Sequence, residues 1–247
     1  MITPNWPAPK NIHAFTTTRD GGVSLPPYES FNLAAHVGDD PEHVAENRRI
    51  LSKNMNHSHS FVWEPIWLTQ THSTTAVRIT HDSPATIATP CDASFTRETN
   101  LPCAVLTADC LPLLICNETG TEVAAIHAGW RGLLAGIIEN TIPQLSSSPA
   151  DLLVWLGPAI GPTAFNVDDK IRLDFINRYP QNKAAFKQTD TGWLADFYAL
   201  AKTSLEAVGV SRVYGGDYCT VSDKRFFSYR RDNGVTGRMA SVIYIEG

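Results

Sequence analysis

The 247-residue sequence is short of the features that mark several large protein classes. Cysteine is scarce and odd in number, five in all (Cys91, Cys103, Cys110, Cys116 and Cys219), with no Cys-x-x-Cys pair. A secreted disulfide scaffold is shorter and pairs its cysteines off, so reduced thiols in a cytoplasmic protein are expected. Basic residues are not in excess either: 20 Lys+Arg stand against 25 Asp+Glu, a net charge of −5. That balance argues against a dedicated nucleic-acid binder, which needs a concentrated basic face to neutralise phosphates. Long apolar runs are missing. Stretches such as 111–116 fall far below the roughly 18–20 residues of a membrane-spanning helix. The opening MITPNWPAPKNI has no basic n-region and no apolar h-region, so no cleaved secretion signal is expected.

Familiar catalytic signatures are absent as well. There is no G-x-G-x-x-G after a strand and no G-x-x-x-x-G-K-[ST], which removes the common dinucleotide and P-loop sites. H-E-x-x-H, the H-x-E…P-C-x-x-C pair of zinc deaminases and G-x-S-x-G are also missing.

What is present is an ordinary globular composition, 43% hydrophobic, with Gly and Pro (16 each) scattered rather than pooled into a linker. A single domain over 1–247 is expected, long enough to bury roughly 70–75% of its unfolded surface. The patterning predicts a strand over 11–17, a turn-rich loop over 19–27, and a helix over 41–54 capped by Asp40 with Pro41 at its first position. Strands follow at 66–70 and 75–79, then three apolar strands at 103–107, 111–116 and 122–127. Helical spacing over 130–145 predicts one helix; 152–156 reads as a buried strand, 168–179 and 196–208 as helices, and 212–214, 226–229 and 239–245 as strands. Strands and helices mix without strict alternation, which favours an α+β class over a doubly wound one.

Three short segments at strand ends carry the chemistry: Gln70-Thr71-His72-Ser73, Thr107-Ala108-Asp109-Cys110 and His127-Ala128-Gly129-Trp130-Arg131-Gly132. Separated widely along the chain, His72, Cys110 and His127 can meet only through sheet pairing. Two imidazoles and one thiolate suit Zn²⁺, and three protein ligands leave the fourth tetrahedral position open, as catalytic zinc requires. Spacing alone leaves two other readings open. Cys110 can be a nucleophile with His127 or His72 as its base, or the residues can serve packing and hydrogen bonding.

The segments TTRDGGVSLPPYESFNLAAHVGDD, ENRRIL, WLTQTHS, LTADCLPLLI, VAAIHAGWRGLLAGI, LGPAIGP and FFSYRRD…TGRMAS resemble the bacterial laccase-domain proteins. That family was formerly labelled multicopper polyphenol oxidase, is now regarded as zinc-dependent purine nucleoside phosphorylases, and is also described as peptidoglycan editing factors. The resemblance runs from about residue 6 to residue 245; Ser73 departs from it, standing where relatives often have Gly, at a position that is not a ligand. It implies a layered α/β/β/α sandwich with mixed sheets, and zinc ligands that carry over to His72, Cys110 and His127, the catalytic centre. It also implies phosphorolysis of adenosine, inosine, guanosine or methylthioadenosine, with adenosine deamination as a side activity.

The expected partners are therefore purine nucleosides and phosphate, with no nucleic acid and no membrane, in a monomer or small homo-oligomer. For phosphate and substrate, the candidates are Arg19 before Gly21-Gly22, Arg48 on the 41–54 helix, and Arg131 just beyond His127. A guanidinium grips phosphate in a bidentate fork. Asn32, Gln70 and Asp109 are candidate orienting groups, and His36 and Asp92 candidate wall residues; for Arg230 and Arg231, packing or ion pairing competes with ligand binding. Copper is the weaker metal expectation. The sequence holds one H-x-H pair (His57-Ser58-His59) and three Met among eight His, too few for a blue-copper centre plus a trinuclear cluster. A role in editing cell-wall precursors and a Cys/His hydrolase remain as alternatives.

Overall fold

The computed structural model describes residues 1–56 and 63–247. In chain order the elements are β1 (Ile12–Thr16), α1 (Pro41–Met55), β2 (Trp67–Thr69), β3 (Ala76–Arg78), β4 (Thr86–Pro90), β5 (Ala93–Thr96), β6 (Cys103–Thr107), β7 (Leu111–Asn117) and β8 (Val123–Ala128). They continue with α2 (Trp130–Ala135), α3 (Ile137–Thr141), β9 (Leu152–Leu156), β10 (Asn166–Val167), α4 (Asp169–Arg178), β11 (Phe186–Thr189), β12 (Gly192–Ala195), α5 (Phe197–Ala207), β13 (Arg212–Gly215) and β14 (Met239–Ile245).

A mixed six-stranded sheet, ordered β13-β9-β7-β8-β5-β3, lies against an antiparallel three-stranded sheet, β1-β14-β6. Side-chain alternation builds the layers. Along β7, Leu111, Leu113 and Ile115 face the helices α2 to α5, whereas Leu114 and Cys116 face Ile12, Val105 and Ile243 of the smaller sheet. On the far side of that sheet, Phe15, Ala104, Leu106 and Val242 pack against Leu51 and Met55 of α1. Helices, sheet, sheet, helix: the chain has the expected α+β, α/β/β/α arrangement. Strands β6 to β9 are covered on both faces, so they read as continuous apolar runs rather than as alternating ones.

The helix caps agree with the sequence. Asp40 accepts from the Glu42 amide with Pro41 behind it, Asp168 accepts from Ile171, and Asp196 from Ala199.

Two expected elements differ. The helix over 130–145 is broken at Gly136, whose φ of 103° ends α2 and starts α3; Pro143 then closes the stretch in a 3-10 turn. A Cβ at Gly136 would lie 2.7 Å from Arg178 Nη2, so the break also admits that guanidinium. Residues 226–229 run as irregular backbone into a turn at Tyr229, not as a strand. Their backbone groups bond outside any ladder, with the Phe227 amide on Met239 Sδ (3.1 Å) and the Phe226 carbonyl taken by Arg231 (2.8 Å). The buried Phe226 and Phe227 rings act as a plug. Strands β4, β5 and β10 to β12 were not expected. Of the four cysteines other than Cys110, for which packing is the default role, Cys91, Cys103 and Cys116 are fully buried, whereas Cys219 is half-buried and its Sγ accepts from the Gly161 amide at 3.3 Å.

Candidate metal centre and its cavity

Strands β6 and β7 belong to different sheets, and the Ala108-Asp109-Cys110 link carries the chain from one to the other. Asp109 turns the corner at φ 90°, a costly conformation for a residue with a side chain. Its carboxylate is held by the Thr220 hydroxyl and the Arg230 amide, each at 2.6 Å, and its carbonyl accepts from Ile160 at 2.9 Å. Cys110 is thereby placed at the seam between the sheets.

Antiparallel register sets His127 on β8 opposite Pro112 on β7, beside that seam. His72 follows β2 in a loop that turns at φ 61°. The organiser of both imidazoles is Asp92, fully buried just before β5. One carboxylate oxygen accepts from His127 Nδ1 (2.7 Å) and the His72 amide (3.0 Å); the other accepts from the Thr71 and Ser73 amides (3.2 and 2.6 Å). The Asp92 carbonyl accepts from the His127 amide at 2.7 Å.

With Nδ1 held by Asp92, Nε2 is the nitrogen that His127 has free for a ligand. Donor atoms of His72, Cys110 and His127 all lie within 4.8 Å of one another, and among the described residues this is the one such cluster. His72 Nε2 lies 3.6 Å from Cys110 Sγ, and the two imidazoles meet edge-on at 4.9 Å. Zinc–nitrogen and zinc–sulfur bonds of about 2.0 and 2.3 Å at a tetrahedral angle put N and S about 3.5 Å apart, so the donor set fits a zinc ion. Gly129 leaves room for it: a Cβ there would collide with the His72 ring and stand 3.2 Å from Cys110 Sγ.

Electrostatics prepare the donors. Burial alone would push the Cys110 thiol up, but the His127 charge and hydrogen bonds from both imidazoles outweigh it and bring the thiol down to about 6. For His127, burial opposes the charged form, yet the Cys110 thiolate and Asp92 raise it to about 9. Asp92 is brought down to about 2, the hydrogen bonds from His127 and Ser73 overcoming its desolvation. Burial and then the Arg238 and Arg48 charges lower His36.

The cluster borders a cavity of about 470 Å³, within the range of small-molecule sites. Trp130, Ile160, Phe165, Phe197 and Tyr229 give it apolar and aromatic walls, and His36, Arg131, Arg230 and Arg238 line it with nitrogen.

Among the residues singled out from sequence, Gln70, Asp109, Arg131 and His36 line this cavity. The Gln70 amide is committed to the Leu106 backbone, donating at 2.9 Å and accepting at 2.7 Å. Arg131 lies over the Trp130 ring at 4.4 Å.

Arg19, Asn32 and Arg48 do not line the cavity. Arg19 is paired with Glu29 at 3.2 Å, and the neighbouring Gly21 and Gly22 amides donate to Ser30 Oγ. Arg48 is bound to the Leu33 carbonyl (3.1 and 2.9 Å) and stacked 4.2 Å over Trp67. Asn32 is buried, and its Oδ1 accepts from the Ala34 and Arg238 amides. Asp92 stands behind His127 rather than on the wall. Of the two arginines after Tyr229, Arg231 is paired with Asp232 while Arg230 lines the cavity.

Sequence reasoning missed Arg238. The signal available was its place immediately before β14, whose first residue Met239 pairs with Thr107 at the strand end leading to Cys110. The His57-Ser58-His59 pair lies outside the described residues.

Comparisons agree with this architecture. Residues 13–246 match the family described as multi-copper polyphenol oxidoreductase laccase. A protein of Escherichia coli named purine nucleoside phosphorylase YfiH is 48% identical over 246 residues, covering 99% of this chain and 98% of that one. A purine nucleoside phosphorylase of Haemophilus influenzae is 47% identical, with 99% of both chains covered. Among solved structures, Neisseria meningitidis protein NMB0706 superposes with a TM-score of 0.90 at 44% identity, covering 100% of this chain and 99% of that one. YlmD from Geobacillus stearothermophilus does so with a TM-score of 0.86 at 30% identity, covering 96% and 93%. With a match that runs almost from end to end and the fold in common, the chain belongs to the multi-copper polyphenol oxidoreductase laccase family.

Proposed function

We propose that this chain, acting as one domain over 1–247, is a zinc-dependent purine nucleoside phosphorylase that also deaminates adenosine hydrolytically. The observation that carries the reading is a three-donor His/Cys/His cluster bordering a cavity with aromatic and cationic walls. Identities of 46–48% to proteins named purine nucleoside phosphorylase support it.

In the reaction a phosphate oxygen forms a bond to C1′ of the ribose while the C1′–N9 bond breaks. The electron pair leaves with the purine, which takes up a proton, and ribose 1-phosphate remains. His72, Cys110 and His127 would hold the zinc, which when bound supplies a Lewis acid to polarise a substrate oxygen and to acidify water for deamination. Trp130, Phe165, Phe197 and Tyr229 give the purine flat apolar partners and keep water off it. Arginines in the wall neutralise phosphate, whose negative charge otherwise opposes approach to an electron-rich nucleoside. Asp92 fixes the His127 ring and the His72 loop. Adenosine, inosine, guanosine and methylthioadenosine are the proposed substrates.

Zinc is favoured over copper by the donor set. A blue-copper site adds a weak axial Met, whereas Met239 Sδ is engaged by the Phe227 amide and Met239 does not line the cavity. A Cys/His hydrolase is the second reading, favoured by a Cys110 thiol brought down to about 6 next to an Asp92-held His127.

Incubating the protein with adenosine and phosphate and separating the products by chromatography tests the proposal. Adenine with ribose 1-phosphate, and inosine as the minor product, are expected. No nucleoside product at stoichiometric protein would overturn the reading in favour of a role such as cell-wall precursor editing. A Cys110→Ala variant that retains zinc but loses turnover would favour the hydrolase.

A further inference from the structure

Eleven of the thirteen arginines fall into two groups; of the other two, Arg48 is bound to the Leu33 carbonyl and Arg78 is exposed on β3. Arg19, Arg49, Arg97, Arg172, Arg178, Arg212, Arg225 and Arg231 each form an ion pair with a carboxylate. Among the described residues, Arg131, Arg230 and Arg238 form none, and all three line the cavity beside the metal cluster. Like charges gathered on one concave surface repel each other; Arg131 and Arg230 stand exposed at its edge while Arg238 gives up part of its hydration, so the arrangement favours an anion.

Arg238 is the best placed of them. It is half-buried, and its backbone amide is anchored on Asn32 Oδ1 at 2.9 Å. Nη1 is fixed by the Thr236 and Gly237 carbonyls (2.8 and 3.0 Å), and among the described residues no acceptor engages Nε or Nη2. The guanidinium lies 5.7 Å from the Tyr229 ring centroid, flanked by His36. The anionic groups in electrostatic reach are the Cys110 thiolate, a proposed metal ligand, and Asp109, whose oxygens are already taken by Thr220 and the Arg230 amide.

A second observation points the same way. Thr107, 1% exposed, lines the same cavity, and its buried hydroxyl has no hydrogen-bond partner among the described residues. A buried hydroxyl left unpaired is destabilising, and a ligand oxygen would satisfy it. Thr107 pairs with Met239 across the β6–β14 ladder, so it and Arg238 stand at the same strand ends.

We infer that Arg238, with Arg230, His36 and the Thr107 hydroxyl, forms an oxyanion subsite beside the metal cluster that takes a phosphate dianion. This deepens the phosphorylase reading and rests on it for the identity of the anion: inorganic phosphate in one direction, the phosphate of ribose 1-phosphate in the other. The role passes to Arg238 from Arg19 and Arg48, whose guanidinium groups are committed elsewhere.

The test is isothermal titration calorimetry of zinc-loaded protein with inorganic phosphate, with and without free hypoxanthine, beside steady-state kinetics on inosine. Wild type should bind one phosphate per chain. Arg238→Gln should weaken it about tenfold or more and raise the KM for phosphate by a similar factor, while the KM for inosine moves less than about twofold. Arg238→Lys, which keeps the charge but loses the fork, should fall between, and Thr107→Val should weaken phosphate about three- to tenfold. Arg78→Gln, at the exposed end of β3 and away from the cavity, is the control expected to change nothing.

Ribose 1-phosphate in place of phosphate separates the sources: competition between the two places both in this subsite. If Arg238→Gln unfolds, the Arg238→Lys and Thr107→Val titrations decide. No phosphate binding by wild type under either condition, or undiminished binding by the folded variants, would overturn the inference. Phosphate binding that depends on Arg238 in a protein that phosphorolyses no nucleoside would uphold the subsite and sink the phosphorylase reading. Normal phosphorolysis with an unchanged phosphate KM in Arg238→Gln would do the reverse.

Discussion

Replacing Asp92 by Asn tests how the metal centre is held, because the change is nearly isosteric and its consequences can be counted. The wild-type carboxylate accepts four hydrogen bonds, from His127 Nδ1 and the amides of Thr71, His72 and Ser73. An amide side chain keeps one oxygen and turns an N–H₂ towards the other pair of donors, so two of the four bonds are lost. Each buried orphan costs about 1–3 kcal/mol, and since the His72 loop is partly exposed, water offsets some of this; the total is about 2–3 kcal/mol.

Linkage gives a similar figure. Asp92 is lowered from 3.8 to about 2, and at about 1.4 kcal/mol per pH unit that contributes about 2–3 kcal/mol. A depressed carboxylate stabilises the fold above its unfolded pKa. Its contribution is lost as pH falls through the folded value, so the wild-type advantage should be full at pH 7 and shrink between about pH 4 and 2. For a chain of this length the loss corresponds to a Tm lower by about 5–10 °C. Metal affinity should fall about 10–100-fold, because the group that fixes His127 is gone. Thermal melts of the metal-free proteins at pH 7 and at lower pH, with zinc competition against a chromophoric chelator, measure both. An Asp92→Asn protein that melts and binds zinc like wild type would refute the role assigned to Asp92.

Removing a donor should remove the metal. His72→Ala, Cys110→Ala and His127→Ala are each expected to lose zinc by elemental analysis together with turnover, and full zinc retention in any of them would take that residue out of the site. Zinc affinity should rise with pH, since the metal displaces the proton held by His127 up to about 9, and should drop more steeply as the Cys110 thiolate is lost below about 6. Competition titrations from pH 5.5 to 8.5 read this, and a flat profile contradicts it. Gly129→Ala drives a methyl group into the His72 ring; zinc affinity is expected to fall at least about tenfold while far-UV circular dichroism stays native, and unchanged affinity would show that the His72 loop relaxes freely.

Much of the fold is legible in the sequence because its strands and helices obey simple periods. The runs at β6, β7, β8 and β9 are apolar because both faces are covered, and Asp40, Asp168 and Asp196 announce helix starts by the hydrogen bonds they accept. Gly136 inside an apolar helical stripe was the available warning of the break after α2, but nothing local announces that Arg178 fills the gap. Phe226 and Phe227 look like strand residues because a buried plug and a buried strand share the same composition.

At the site, the three proposed ligands share strand-end positions, which sequence can suggest and only the sheet register brings together. The arginines were harder to sort. Where a guanidinium ends up depends on partners that the local sequence does not announce: Glu29 for Arg19, Leu33 for Arg48, and for Arg238 the anchoring of its backbone amide on Asn32, more than two hundred residues away.

The central claim, one zinc held by His72, Cys110 and His127 and used for phosphorolysis, is tested most directly by reconstitution. Chelator-stripped protein is titrated with zinc while phosphate-dependent release of hypoxanthine from inosine is followed. The account predicts activity that rises linearly and levels off at one zinc per chain, with copper failing to replace it. Undiminished phosphorolysis in the stripped protein, or activity restored only by several copper ions per chain, would contradict it.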